Sequence, residues 1–156
     1  MRKPWNLPSY PVYSLITESK EWEKNMNVMT YITPVSMKPK HYILAIYSGT
    51  QTLENWKSTH RGMLQILAPE HSSLIWVLGR KSGKSYDKMR YLMKKWLLLD
   101  DGLLSGIAWY LEFEEVEKLD DGGWDHELYL CRMLSSKTYH WEVLTTGILV
   151  EEWVIL

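Results

Sequence analysis

The run IAWYLEFEEVEK, Ile107 to Lys118, alternates Ile107, Trp109, Leu111 and Phe113 against polar neighbours. Strand side chains repeat every second residue, so this run reads as a half-buried strand. DDGG at Asp120 to Gly123 is a turn signal, and DHELYLCRML then returns. TGILVEEWVIL closes the chain after a loop through SSKTYHW. From Leu103 onward everything is strand and turn. A doubly wound α/β fold needs strand and helix to alternate throughout, and this tail excludes it.

Upstream, Tyr10 to Thr17 is a first strand, with Val12, Ser14 and Ile16 alternating against Tyr13, Leu15 and Thr17. His41 to Ser48 is apolar on both faces, as a central barrel strand would be. Thr52 to Arg61 is predicted as a helix, with Thr52 as N-cap and Gly62 as C-cap. Met63 to Leu67 is a short strand stopped by Pro69. Further helices are expected from His71 to Leu78, ended by Gly79, and from Asp87 to Trp96. The predicted class is mainly β, an antiparallel barrel with two or three short helices at an end or edge.

One stretch fits this plan poorly. In KNMNVMTYITPVSMKPK, Lys24 to Lys40, neither face of the expected second strand is cleanly apolar or polar, and Pro34 interrupts it. A strand that serves no simple core has another use.

At 156 residues, 46% of them hydrophobic, the chain is long enough for one domain spanning 1–156 with a real core. Its net charge of -1 argues against nucleic acid as a partner. A single cysteine, Cys131, allows no internal disulfide, which fits a reducing, cytoplasmic compartment. The N-terminal segment has no apolar signal-peptide core, and no apolar run approaches the ~18 residues of a membrane span. Nine Trp and ten Tyr against one Phe point to a planar ligand, a subunit interface or simply an aromatic core and rim.

The candidate chemistry is sparse. GRKSGKS, Gly79 to Ser85, resembles a phosphate-binding P-loop but is one residue short and follows a helix. What remains is a basic cluster, Arg80, Lys81, Lys84, Lys88 and Arg90, beside a Ser82-Gly83 turn; it can hold an anion or be a solvated loop. The helix start near Thr50 and Thr52 offers hydroxyls and free N–H groups to a phosphate, with Glu54 opposing a dianion. The five histidines are scattered, so no metal site is expected. No G-x-S-x-G elbow exists, and Cys131 reads as a small buried residue.

The order of these pieces carries more than any one of them. A YPVY strand is followed by N-V-M-T-x-x-x-P-V-S, an apolar strand, T-x-x-N at a helix start, S-G-x-x-x-D-K and a D-H-E-L strand. That order, over Tyr10 to Arg132, resembles the flavin reductase-like family, the FMN-binding split barrel. The resemblance implies non-covalent FMN, with Asn27, Val28, Met29 and Thr30 along the isoalloxazine edge and Ser36 in the same wall. It places the ribityl phosphate at Ser48, Thr50 and Thr52, helped by Ser82, Gly83 and Lys84, and sets His126 on the nicotinamide side. It further implies a homodimer and hydride transfer from NADH or NADPH to flavin, catalysed by an NAD(P)H:flavin oxidoreductase. A flavin-binding electron-transfer module served by a protein donor or acceptor remains the alternative. A barrel that binds another flat ligand, or merely dimerises, is a third reading. Cys131 and Gln65 depart from the family's usual small residue and asparagine.

Overall fold

The computed structural model describes residues 9–119 and 122–155. Seven strands form one antiparallel sheet: β1 (Tyr13–Glu18), β2 (Lys24–Met26), β3 (Ile32–Met37), β4 (Lys40–Tyr47), β5 (Arg61–Ile66), β6 (Trp109–Lys118) and β7 (His126–Thr138). Their order is β2-β1-β5-β6-β7-β4-β3. The two edge strands are thus consecutive in the chain. The link between them touches both ends of the sheet: Met29 exchanges two 2.9 Å backbone bonds with Tyr13 of β1, and the Ala45 N–H of β4 donates to Tyr31 O at 3.0 Å. The sheet curls into a barrel split where this link runs.

Four α-helices complete the fold: α1 (Gln51–Thr59), α2 (Ile75–Arg80), α3 (Lys88–Lys94) and α4 (Thr146–Glu151), with a 3-10 turn, Pro69–Leu74, leading into α2. Inside the barrel pack Leu15, Leu44, Ile46, Leu64, Phe113, Tyr129 and Cys131, and Trp56 of α1 plugs them. Trp56 is fully buried, and its indole N–H donates to Glu115 at 2.9 Å, so its polar atom is satisfied. Outside the barrel wall, Ile16 and Met26 pack against Leu78, Leu92 and Leu149 from α2, α3 and α4. Both faces of β1 are therefore covered. Among the described residues no helix is long and apolar enough to cross a membrane.

The mainly β, antiparallel split-barrel architecture is as expected, with differences at the element ends. Helix α1 starts before Thr52; Thr50 is its N-cap, accepting from Leu53 N at 3.3 Å and donating to Tyr47 O at 2.8 Å. Its C-cap is His60 at φ 56°, while Gly62 lies in β5. A Cβ on Gly62 would stand 3.0 Å from Ile16 O and 3.1 Å from Trp56, so close packing explains the glycine. Gly79 lies within α2 and does not end it. The SSKTYHW segment is partly strand, because β7 runs on to Thr138 with Ser135 and Ser136 opposite Glu112 and Leu111. The closing TGILVE is a helix: the Thr145 hydroxyl accepts from Ile148 N at 3.3 Å, and buried Leu149 anchors the turn to the outer core. Asp120 and Asp121 of the expected turn lie outside the described residues.

Thr50 both caps α1 and ties it to the end of β4. Thr50→Ala should cost about 1 kcal/mol of stability, as loss of a helix N-cap does, measured by urea denaturation. An unchanged midpoint would show that the cap is dispensable.

Candidate functional site

The link that closes the barrel also forms one wall of a cleft. Met26 pairs with Ile16 and Met29 with Tyr13 in a single register, but the pairing lapses between them. Here the Leu15 N–H donates to the side-chain oxygen of Asn27 at 2.9 Å, while Asn27 N reaches Leu15 O at 3.3 Å. The asparagine amide thus takes the place of its own backbone carbonyl in the ladder. Successive backbone groups alternate in direction along an extended chain. With Met29 N held by Tyr13, the Val28 and Thr30 N–H groups and the Asn27 carbonyl have no protein partner among the described residues.

These free groups border a cleft of about 590 Å³, whose lining includes Asn27, Val28, Met29 and Thr30. Ser48, Thr50 and Thr52 enter it from the start of α1, and Ser82 and Gly83 from the turn between α2 and α3. His126 lines it from the start of β7. The two other expected residues lie elsewhere. Ser36 sits on β3 opposite His41, at a bulge after Pro34, outside the cleft. Lys84 lines an adjoining polar cavity of about 550 Å³ and pairs with Glu54 at 2.5 Å, which offsets the acidic residue in the first turn of α1.

Glycines bring the walls together. A Cβ on Gly79 would lie 3.1 Å from Val28, and one on Gly83 would overlap the Asn25 side-chain oxygen and stand 2.9 Å from its Cγ. Asn25 is buried and donates to the Thr52 hydroxyl at 2.9 Å, tying β2 to the start of α1. The Gly83 turn thus rests against a polar seam, not on a free loop.

At His126, Nδ1 lies 2.8 Å from the Asp125 carboxylate, while the rings of Tyr31 and Tyr47 stand 5.0 and 5.1 Å from the imidazole. Both tyrosines line the cleft and are largely exposed. Neighbouring Glu127 serves another purpose. Its burial would raise its pKa, but hydrogen bonds from Lys57, Tyr129 and Lys118 outweigh that and lower it to about 2. Burial, with Glu115 nearby, pushes the Cys131 thiol up, so it is no ready nucleophile. Among the described residues no three His, Cys, Asp or Glu side chains gather to hold a metal ion.

The expected basic cluster divides. Arg80 and Lys81 line the cleft, and the Lys81 ammonium lies 4.6 Å above the Trp76 ring. Arg90 is exposed, and its backbone N–H donates to the Asp87 cap of α3 at 2.8 Å. Lys88 is buried and lines both cavities, a placement the sequence marked only by the spacing of S-G-x-x-x-D-K. Asn25, Gln51, Tyr31 and Tyr47 also line the cleft, and no sequence signal had singled them out.

The architecture is a split barrel whose interrupted edge borders a cleft. The chain belongs to the flavin reductase family: the model of the flavin reductase like domain matches residues 7–139. Solved structures share the fold. The styrene monooxygenase flavin reductase from Pseudomonas putida superposes with a TM-score of 0.75 at 16% identity, over 96% of this chain and 93% of that one. The flavin reductase component of a bacterial two-component tryptophan halogenase gives 0.75 at 13%, over 93% and 90%. An FMN-binding protein from Thermus thermophilus with bound 1-cyclohex-2-enone gives 0.69 at 20%, over 91% and 75%. No curated protein sequence matches the chain.

The seam at Gly83 gives a structural test. Gly83→Ala should destabilise the protein by about 1–3 kcal/mol, the usual cost of overpacking. Adding Asn25→Ala should recover part of that loss in a double-mutant cycle read by denaturation. Strict additivity would show that the two residues do not meet.

Proposed function

We propose that the cleft binds FMN non-covalently and that the protein is an NAD(P)H-dependent flavin reductase. One observation carries the reading: a row of backbone groups, Asn27 C=O, Val28 N–H and Thr30 N–H, left unpaired along a cleft. A flavin ring edge presents acceptors and a donor to such a row, and about 590 Å³ lies within the range of small-molecule sites. The hydroxyls of Ser48 and Thr52 and the start of α1, which Thr50 caps, offer donors to the phosphate, and the Ser82-Gly83 turn closes on the same end. The names borne by the structural neighbours, flavin reductase and FMN-binding protein, accord with this reading.

When bound, FMN would supply the acceptor for a hydride from a reduced nicotinamide. The chain's own work is to hold the ring, exclude competing geometries and orient the second substrate. His126, fixed by Asp125 and flanked by two tyrosine rings, is assigned to the nicotinamide side. In anaerobic stopped flow, NADH or NADPH should bleach the bound flavin. His126→Ala should slow that step about 10- to 100-fold, as loss of positioning does, with FMN affinity little changed.

A second reading has its own support: Tyr31 and Tyr47 crowd the imidazole at the cleft and could take up the space of a stacking nicotinamide. The protein would then be an electron-transfer module with a protein partner. Failure of both nicotinamides to reduce bound FMN at saturation selects that reading.

The working unit is proposed to be a homodimer. Val35, Met37 and Leu134 are exposed on the β3 and β7 strands, and Trp22, Trp96, Trp141 and Trp153 are largely exposed elsewhere. Light scattering at micromolar concentration should return twice the 18.5 kDa chain mass. A concentration-independent mass of one chain would exclude the dimer.

A further inference from the structure

Helix α3 presents two unlike faces. On one, Lys88 and Leu92 are buried, and Met89 and Tyr91 pack against the outer core. The other carries Arg90, Met93 and Lys94, spaced i, i+3 and i+4, with Lys95 and Trp96 just past the last turn. All five are exposed. From Lys88 to Leu99 the chain holds four cations and no carboxylate, in a protein whose net charge is -1. Arg90, Lys94 and Lys95 form no ion pair among the described residues.

Local structure accounts for part of this face. Cations at a helix C-terminus complement the helix dipole, which covers Lys94 and Lys95. It does not cover the apolar pair. Met93 is 63% exposed and Trp96 91%. Trp96 also takes the left-handed position just beyond the helix, φ 59°, where glycine or asparagine is usual. A bulky residue with that φ is an outlier, and its indole leaves a large apolar surface in water. Neither packing nor backbone preference places a tryptophan here, so the projecting ring points to an occupant outside the chain.

The chemistry of the face selects that occupant. A protruding indole and thioether ringed by cations match an anionic lipid surface, where the charged groups meet headgroups and the ring lies at the boundary with the acyl chains. The acidic turn at Asp100 and Asp101 bounds the basic face, and the Asp101 carboxylate accepts from Leu103 N at 3.0 Å. Trp22, in the β1–β2 turn, offers an internal comparison. It shares the backbone conformation, φ 67°, and is 82% exposed, but it stands among Lys20, Glu21, Glu23 and Lys24, whose charges cancel.

We propose that the exposed face of α3 is a peripheral docking surface for anionic phospholipid membranes. Met93 and Trp96 enter the interface, and Arg90, Lys94 and Lys95 bind headgroups. None of these five residues lines the cleft, so the docking surface does not rest on the flavin reading.

Co-sedimentation of the whole protein with vesicles tests this. The wild type should partition onto mixed phosphatidylcholine–phosphatidylserine vesicles and not onto phosphatidylcholine alone. Raising NaCl from about 0.1 M to about 0.5 M should release most of it, because exposed charges are then screened. Lys94→Ser with Lys95→Ser should lower the partition coefficient about 10- to 30-fold. Trp96→Ser should lower it about tenfold, and Trp22→Ser should leave it unchanged. All four positions are exposed, and circular dichroism checks that each variant folds. The wild-type contrast between the two lipid compositions needs no variant at all. Absence of binding to the anionic vesicles overturns the proposal. Binding that Trp96→Ser leaves intact, or that Trp22→Ser weakens equally, overturns it too, since the α3 face would then not be the contact. If soluble polyglutamate binds as tightly as the anionic vesicles, the face fits an acidic protein and the lipid assignment falls.

Discussion

Antiparallel pairing between β1 and the residues after β2 keeps one register from Met26 to Met29, and the cleft depends on where that pairing lapses. A backbone N–H left unpaired in the interior costs free energy comparable to a lost hydrogen bond, so a ladder cannot simply stop. Asn27 resolves this locally by lending its side-chain oxygen to Leu15 N. The donor on β1 is satisfied, and the Asn27 backbone carbonyl is left without a protein partner among the described residues. Any apolar residue at this position would strand Leu15 N or return that bond to the backbone carbonyl.

The same economy governs the opposite wall. Gly79 and Gly83 let α2 and the following turn approach Val28 and Asn25, and Lys88 then bridges α2 and β2 through two carbonyls. A neutral residue there could fill the space but would leave both carbonyls without this donor. The charge carries a cost. The unfolded chain holds the Lys88 proton up to about pH 10.5, the folded chain only to about 8, so this group's contribution to stability rises with pH between those values. Below that window the folded protein keeps a buried ammonium.

Much of this was legible in the sequence for reasons that can be named. The alternation of Ile107, Trp109, Leu111 and Phe113 survives as β6 because one face of that strand meets the barrel core. The closing segment misled because Ile148, Val150 and Val154 have strand propensity, whereas the Thr145 cap and burial of Leu149 decide for a helix. Thr52 looked like a cap by residue type, but its hydroxyl serves Asn25 and the cap falls to Thr50. Ser36 could not be placed by pattern, since a bulge after Pro34 shifts the β3–β4 register. Lys88 read as one more basic residue of an exposed cluster, because burial of a lysine leaves no periodic trace.

The mixed character of Lys24 to Lys40 follows from its position and not from a compromise in core packing. Residues in the stretch answer to three environments in turn. Met26 and Met29 are buried, each in a different core cluster, because the chain crosses from the outer face of the sheet to the barrel interior between them. Val28 and Thr30 flank the cleft. Val35 and Met37 are exposed on an edge strand, where Pro34 costs little because an edge residue can face away from the ladder. A segment that changes neighbours every few residues cannot show a period. Where a β-rich chain loses its alternation without losing its apolar content, a crossing between sheet edges is the physical cause to test first.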